Sequence, residues 1–350
     1  MSFSIIEPLI QDCLPRLIPN AVNVPHGHQD YVFATSGLKK RFWDWRVRII
    51  RDYTEAPSCV WWDKVQLEPL VAAHRLIAER ISSGVPTCVA RIGNVEASIC
   101  MWGQGIAWPL GWRGQFPVLF CDTFMGASNA GLRPRNHPSY RLFSTVMHEA
   151  LSEVDVLGVW RNKWEAALLR AHFASLGQVA TVDVEGLGPT MIDIVDHWMN
   201  TLNGLRVLIV SPFVESIYRQ MERIESVWPT RRWFRDCKVI AYRFPFLIDE
   251  SCKLTWWEVY ESVGRVVQDA NYDVALFGCG GLGLPLAALA KRSERIGIHL
   301  GGLLQLAFGI YGERHLTQDW HRRCINDAWI RPSTDETPAC ARKVENSCYW

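Results

Sequence analysis

The stretch Asp273–Pro285, DVALFGCGGLGLP, carries a short apolar run into a turn holding four glycines and on into a helix. An apolar run of this length, bounded by glycine, reads as a strand buried on both faces. The turn Gly278-Cys279-Gly280-Gly281-Leu282-Gly283 matches G-x-G-x-x-G. Glycines there permit positive φ and let backbone amides approach a diphosphate closely at a helix start. A tight strand-to-helix turn with no ligand calls for the same residues. A dinucleotide site also needs a carboxylate at the end of the following strand, to hold the ribose hydroxyls. That strand, Arg295–Leu300, runs into His299-Leu300-Gly301-Gly302 and offers none. Only one further strand follows the motif, which argues against NAD and FAD.

Upstream of this stretch, strand and helix patterns alternate. The expected strands are Pro86–Ile92, Asp155–Val159, Val179–Val184, Arg206–Ser211 and Lys238–Arg243. Between and around them the periodicity predicts helices at Val65–Ser82, Glu96–Met101, Tyr140–Leu151, Trp164–Leu176, Pro189–Leu202, Val214–Val227 and Trp256–Asp269. After the glycine turn a helix is expected to Arg292, then a strand, a turn and a helix to Ile310. Such alternation implies βαβ units and a doubly wound, mostly parallel α/β sheet of Rossmann-like kind. Residues 66–315 form the expected domain, residues 1–65 an irregular N-terminal extension, and residues 316–350 an extension packed on the domain. Residues 102–138, rich in Gly, Pro and Asn, read as loops and short strands.

The bulk numbers remove several function classes. The 37 basic residues almost cancel the 36 acidic ones, for a formal charge of +1. That leaves no electrostatic footprint for nucleic acid. The basic stretch Lys39-Lys40-Arg41 with Arg46, Arg48 and Arg51 reads as a solvated helix face. Eleven cysteines without any Cys-x-x-Cys pair argue against disulfides and zinc, and agree with a reducing cytoplasm. The longest uncharged run, Val274–Ala290, holds four glycines and Pro285, so no membrane span is expected. Most of the 17 tryptophans belong to a core, although indole rings also stack on sugars and bases.

Three further strand ends carry candidate site residues. His299, Gly301, Gly302 and Gln305 offer a second amide-lined turn with two side chains able to reach a ligand. Ser211 closes a strand, with Glu215, Ser216 and Gln220 spaced as neighbours on the next helix. In Ala90–Ser98, ARIGNVEAS, Arg91 can pair with a phosphate, while Asn94 and Glu96 can share one cation through oxygen. Helix capping explains Ser211, Glu215 and Asn94 nearly as well.

Taken together, these segments resemble the GT-D-type glycosyltransferases, a bacterial family with an Arg-x-Gly-Asp-x-Glu segment after its first strand. Arg91, Gly93, Asn94 and Glu96 stand at the matching places. GCGGLGLPLAALAKR, IHLGGLLQLAFGIYGER, VLIVSPFVESIYRQ and the tail WIRPSTDETPACARKVE with CYW are similar too. The resemblance spans residues 70–350 and is strongest from Arg206 onward. It implies a Rossmann-like fold and transfer of a sugar from a nucleotide-diphosphate donor, UDP-sugar favoured, to a glycan or glycoprotein. It also implies a divalent metal, Mn²⁺ or Mg²⁺, at Asn94 and Glu96. Here asparagine replaces the family's aspartate, and a neutral carbonyl oxygen is the weaker ligand.

On that reading the diphosphate lies across Gly278, Gly280, Gly281 and Gly283, and across Gly301 and Gly302. Amide dipoles, Arg91 and any metal at Glu96 offset the growing charge. Candidates for the base that deprotonates the acceptor are Glu215, Asp122 and His299. Residues 102–138, Trp329 and Trp350 are candidates to hold the acceptor. Two rivals remain: an S-adenosylmethionine-type Rossmann enzyme, which normally places such a turn after the first strand, and a non-catalytic sugar-nucleotide binder, which Asn94 favours.

Overall fold

Seven strands, all parallel, form the sheet that the alternating pattern predicts. The computed structural model describes residues 60–61, 65–68, 70–103, 126–127, 129–160, 165, 168, 179–189, 197–317, 319–344 and 347–350. The strands are β1 (Thr87–Arg91), β2 (Val156–Val159), β3 (Ala180–Asp183), β4 (Arg206–Ser211), β5 (Lys238–Arg243), β6 (Val274–Phe277) and β7 (Ile296–His299). Their order across the sheet is β3-β2-β1-β7-β6-β4-β5. A two-residue antiparallel pair, Val60–Trp61 with Val65–Gln66, lies outside this sheet.

The inner strands are largely apolar because both faces are covered, and successive side chains enter different cores, whereas the edge strand β5 is half exposed. On one face Cys88, Ala90, Leu157, Leu208, Val210, Ala275 and Phe277 pack with α2 (Asn94–Gly103), α3 (His137–Leu151), α6 (Trp256–Asp269) and α7 (Gly283–Arg292). On the other, Val89, Val156, Val182, Val207, Ile209, Leu276 and Ile298 pack with α1 (Leu70–Ser83), α4 (Val214–Met221), α5 (Ile224–Val227) and α8 (Leu303–Ala307). Gly297 on β7 permits the close approach of α7, since a Cβ there would run into the Ala287 backbone. The fold is therefore the doubly wound, Rossmann-like α/β architecture expected.

Several element limits coincide with the sequence reading. β4, β5 and α6 do so residue for residue. α6 starts at a capping box, in which Thr255 accepts the Glu258 amide at 3.2 Å and Glu258 accepts the Thr255 amide at 2.8 Å. The helix expected over Val214–Val227 is instead two, α4 and α5, parted at Glu222 and Arg223. Long-range hydrogen bonds hold each piece separately. Gln220 donates to the carbonyls of Gly309 and Ala328 at 3.1 Å each, and Trp228 donates to Ala307 at 2.8 Å. The helix expected to reach Ile310 stops at Ala307, before Gly309 at φ 66°. Of the helix expected at Pro189–Leu202, the described end is a 3₁₀ turn, Trp198–Leu202, opened by His197. The helix expected at Trp164–Leu176, the basic segment Lys39–Tyr53 and Asp122 lie outside the described residues, Glu165 and Leu168 excepted.

The C-terminal segment completes the second face. It forms α9 (Glu313–Thr317), α10 (Asp319–Cys324) and two 3₁₀ turns, and it buries Trp329, Val344, Cys348 and Trp350 against α8, α5 and their neighbours. Trp329 and Trp350, candidates to hold an acceptor, are thus core residues, 6% and 5% exposed. No described helix is long and apolar enough to cross a membrane, and no disulfide occurs among the described cysteines.

Glu336, wholly buried, ties this segment to the sheet. Its carboxyl group accepts the amides of Glu215 at 2.8 Å and Ser216 at 3.2 Å, the Ser216 hydroxyl, and the Ser333 hydroxyl at 3.1 Å. A carboxylate at a helix N-terminus meets both the free N–H groups and the helix dipole. Replacing it leaves several buried donors without partners. Glu336→Ala is expected to lower the free energy of urea unfolding by about 3 kcal/mol, and Glu336→Gln by less. An unchanged urea midpoint in Glu336→Ala would show that the tail is not anchored this way.

Candidate functional site

Ligands in open α/β sheets bind beyond the carboxyl ends of strands, where neighbouring connections leave toward opposite faces. Here that place lies between β1 and β7. They are paired neighbours, with Val89 opposite Ile298, yet β1 leads to α2 on one face and β7 to α8 on the other. The crevice between them collects Arg91, Gly93, Asn94 and Glu96 from β1 and α2, and His299, Gly301 and Gly302 from β7 and its turn.

Arg91, the last residue of β1, lays its guanidinium against Gly301 and 5.0 Å from the centre of the Trp160 ring. A side chain on Gly301 would collide with it, and the φ of 57° there also favours glycine. Arg91 Nε is buried without a hydrogen-bond partner, and Arg91 makes no ion pair with any described residue. Burial works against its charge, while Tyr349, Glu96 and Glu165 favour it and Arg314 opposes it. Glu96 folds back over Gly93 in the first turn of α2 and passes Gly281. Its carboxylate forms no hydrogen bond or ion pair with any described residue, which leaves it available to a ligand. Asn94 keeps its side-chain oxygen buried and without a partner.

His299 takes a different part from the expected base. Its Nδ1 lies 3.0 Å from the Arg91 carbonyl oxygen. A carbonyl only accepts, so Nδ1 carries the proton and Nε2 the lone pair. That Nε2 is buried without a partner, with the ring against Gly283. Burial, then the Arg91 charge, push the imidazole pKa down to about 3. His299 therefore joins two strand ends as a neutral ring, and has little basicity to offer an acceptor hydroxyl.

The glycine turn after β6 is mostly committed to packing. Gly278 sits under Leu304, with the Gly301 carbonyl 3.2 Å from where a Cβ would stand. Gly283 makes room for His299, and Gly281 lies beneath the Ala130 carbonyl. Gly280, at φ 56°, is the exposed member of the turn.

Three candidates have partners elsewhere. Ser211 accepts the Phe213 amide at 3.2 Å and shapes the turn after β4. Glu215 pairs through its side chain with Arg243. Gln305, buried, donates to the carbonyls of Ile310 at 3.3 Å and Tyr349 at 3.2 Å. The expected Glu215–Ser216–Gln220 cluster is divided in the same way: Ser216 belongs to Glu336 and Gln220 to Gly309 and Ala328.

Four residues that sequence reasoning did not single out enter the crevice. Trp160 and Glu165 follow β2, and both Glu165 oxygens accept the Trp160 amide, at 3.2 and 3.0 Å. Arg314, in α9, stands 4.6 Å from the centre of the Tyr349 ring. Both reach Gly302, the Tyr349 ring edge to 3.1 Å and an Arg314 terminal nitrogen to 3.4 Å of where its Cβ would be.

A resident divalent metal does not fit this donor set. The expected ligands supply one carboxylate and one neutral amide oxygen, and no group of three His, Cys, Asp or Glu side chains able to hold an ion occurs among the described residues. Compared with known proteins, the chain matches no family model, no curated protein and no solved structure.

His299 belongs to a set of buried imidazoles. Burial holds His74 at about 4, His197 at about 2 and His321 at about 3, against an ordinary 6.5. The His74 and His197 rings lie tilted to each other at 4.0 Å between centres, and neighbouring charges, Arg231 among them, push both further down. Above pH 6.5 these rings are neutral folded or unfolded. Below it the unfolded chain takes up protons that the folded protein refuses, so stability falls as the pH falls. The urea midpoint should therefore be flat from pH 8 to about 6.5 and drop between about 6.5 and 4. A midpoint constant across that lower window would contradict the neutral, buried state of these histidines.

Proposed function

We propose that this chain is a glycosyltransferase that moves a sugar from a nucleotide-diphosphate donor, a UDP-sugar by preference, to a glycan or glycoprotein acceptor. One observation carries the reading: among the described residues, an arginine without an ion pair and a carboxylate without a partner face the same crevice, between two glycine-bearing strand ends. The diphosphate would lie along Gly301 and Gly302 and over Gly280, with Arg91 stabilising the charge that grows on the leaving group. Glu96 is then the group placed to take the proton of the acceptor hydroxyl. His299 holds the carbonyl end of β1 and so the position of Arg91. Described cysteines that form no disulfide suit a cytoplasmic location.

A non-catalytic sugar-nucleotide binder is the second reading, and Asn94 in place of an acidic residue favours it. The two part at Glu96. Calorimetry with UDP, GDP and NAD should find a diphosphate nucleotide that binds and should find no binding of NAD. Arg91→Ala should weaken that binding about tenfold or more, the effect of removing a charged hydrogen-bond donor. Glu96→Gln should keep binding within about threefold of wild type and abolish hydrolysis or transfer of the UDP-sugar. Full turnover in Glu96→Gln would remove Glu96 from the chemistry. Failure of wild-type protein to bind any nucleoside diphosphate would end the transferase reading.

A further inference from the structure

We propose that the crevice takes the donor diphosphate on two arginines, Arg91 and Arg314, without a divalent metal, and that Tyr349 is the residue that positions Arg314. The inference rests on the nucleotide-diphosphate reading above and specifies how that site neutralises its anion.

The two guanidinium groups meet at consecutive glycines. Arg91 occupies the space a side chain on Gly301 would fill, and an Arg314 nitrogen comes within 3.4 Å of the Cβ position of Gly302. Two like charges converging on a partly buried dipeptide repel each other, and Arg314 does weaken the charged form of Arg91. Glu96 favours that charged form by more than Arg314 opposes it, and Glu165 favours it less strongly. Glu96 makes no ion pair with it, and both oxygens of Glu165 accept the Trp160 amide. The planar forks of two arginines at neighbouring glycines match the oxygens of a diphosphate. The metal ligand set is deficient at the same place, with Asn94 neutral and Glu96 the lone carboxylate of the α2 turn.

Arg314 sits in a five-residue helix and depends on the tail for its direction. Its guanidinium lies over the Tyr349 ring, 4.6 Å from the centroid. The backbone around Tyr349 is itself fixed. Its carbonyl accepts Gln305 at 3.2 Å, and the chain passes so close to Gly312 that a Cβ there would strike the Trp350 amide. The segment from α9 to Trp350 thus forms one wall of the site, with Tyr349 as the support for a cation.

UDP titration by calorimetry tests this, in EDTA and in Mn²⁺. Wild-type protein is expected to bind UDP with dissociation constants within about threefold of each other in the two buffers. Arg314→Ala should weaken UDP about tenfold, and Arg314→Lys should recover part of the loss. Tyr349→Phe should bind as wild type does, and Tyr349→Leu should weaken UDP. The double variant Arg314→Ala/Tyr349→Leu should be no weaker than Arg314→Ala alone, because the ring acts through the arginine. UDP binding that vanishes in EDTA and returns with Mn²⁺ overturns the inference while leaving the donor site standing, and needs no variant. Arg314→Ala binding UDP as tightly as wild type overturns it as well. No UDP binding in either buffer overturns the donor reading and this inference together.

Discussion

The parallel pairing of β1 with β7 is the constraint on which the rest of the carboxyl edge depends. It joins segments 208 residues apart, with the His299 imidazole on the Arg91 carbonyl as its last rung. A contact of that separation is costly in chain entropy. The strands repay it by burying Cys88, Val89 and Ala90 beside Ile296 and Ile298, each at most 4% exposed. Because one strand feeds a helix on one face and its neighbour a helix on the other, the two connections part and a crevice opens. Arg91 can end in that crevice only because Gly301 has no side chain. Gly283 is required for a similar reason, since the His299 ring stands where its Cβ would be. The glycines of both turns thus serve the pairing before they serve any ligand.

Charge is distributed across the edge with the same economy. The amides at the start of α4 already hold an anion, the Glu336 carboxyl group delivered by the C-terminal segment. Arg243 is occupied by Glu215. The β4 end of the sheet is therefore internally satisfied. The β1–β7 crevice is not, because Arg91 and Glu96 both lack a hydrogen-bonding or ion-pair partner for their side chains among the described residues. Protein interiors pair most of their buried polar groups, so unpartnered charged groups gathered at a topological switch point mark it as a candidate ligand site.

How far the sequence could be read follows from the range of the forces involved. Local signals were legible. β4 and β5 show in their apolar runs and α6 in Thr255-Trp256-Trp257-Glu258, because a capping box and a helical period are written within a few residues. The candidate site was legible in part. Arg91, Gly93 and Glu96 follow one strand, Gly301 and Gly302 another, and both fall at carboxyl ends, where α/β sheets bind ligands. Ser211, Glu215 and Gln305 misled because a polar residue at a strand end or helix start looks the same whether it meets a ligand or a distant carbonyl. His299 misled for the opposite reason. Its low basicity comes from burial against Gly283 and from the Arg91 charge, and neither is visible in the residues around it. Arg314 and Tyr349 carried no motif at all. Their meeting depends on a tail that returns past Gly312, which only the folded chain reveals.

On the proposed reading, the replacement of an acidic ligand by Asn94 and the presence of a second arginine form one substitution, not two. A divalent ion and a pair of guanidinium groups do the same electrostatic work on a departing diphosphate. They differ in what the protein must supply. The ion needs carboxylates that pay its dehydration, and it arrives with the substrate. The arginines need a wall that keeps two like charges together in the absence of substrate. Trp160 gives Arg91 an aromatic face and Tyr349 gives Arg314 another, and an aromatic face stabilises a guanidinium without neutralising it. Carboxylates in those two places would have ended the affinity for phosphate, and aliphatic side chains would have left the charges unsupported. The aromatic residues are the choice that keeps both cations in place.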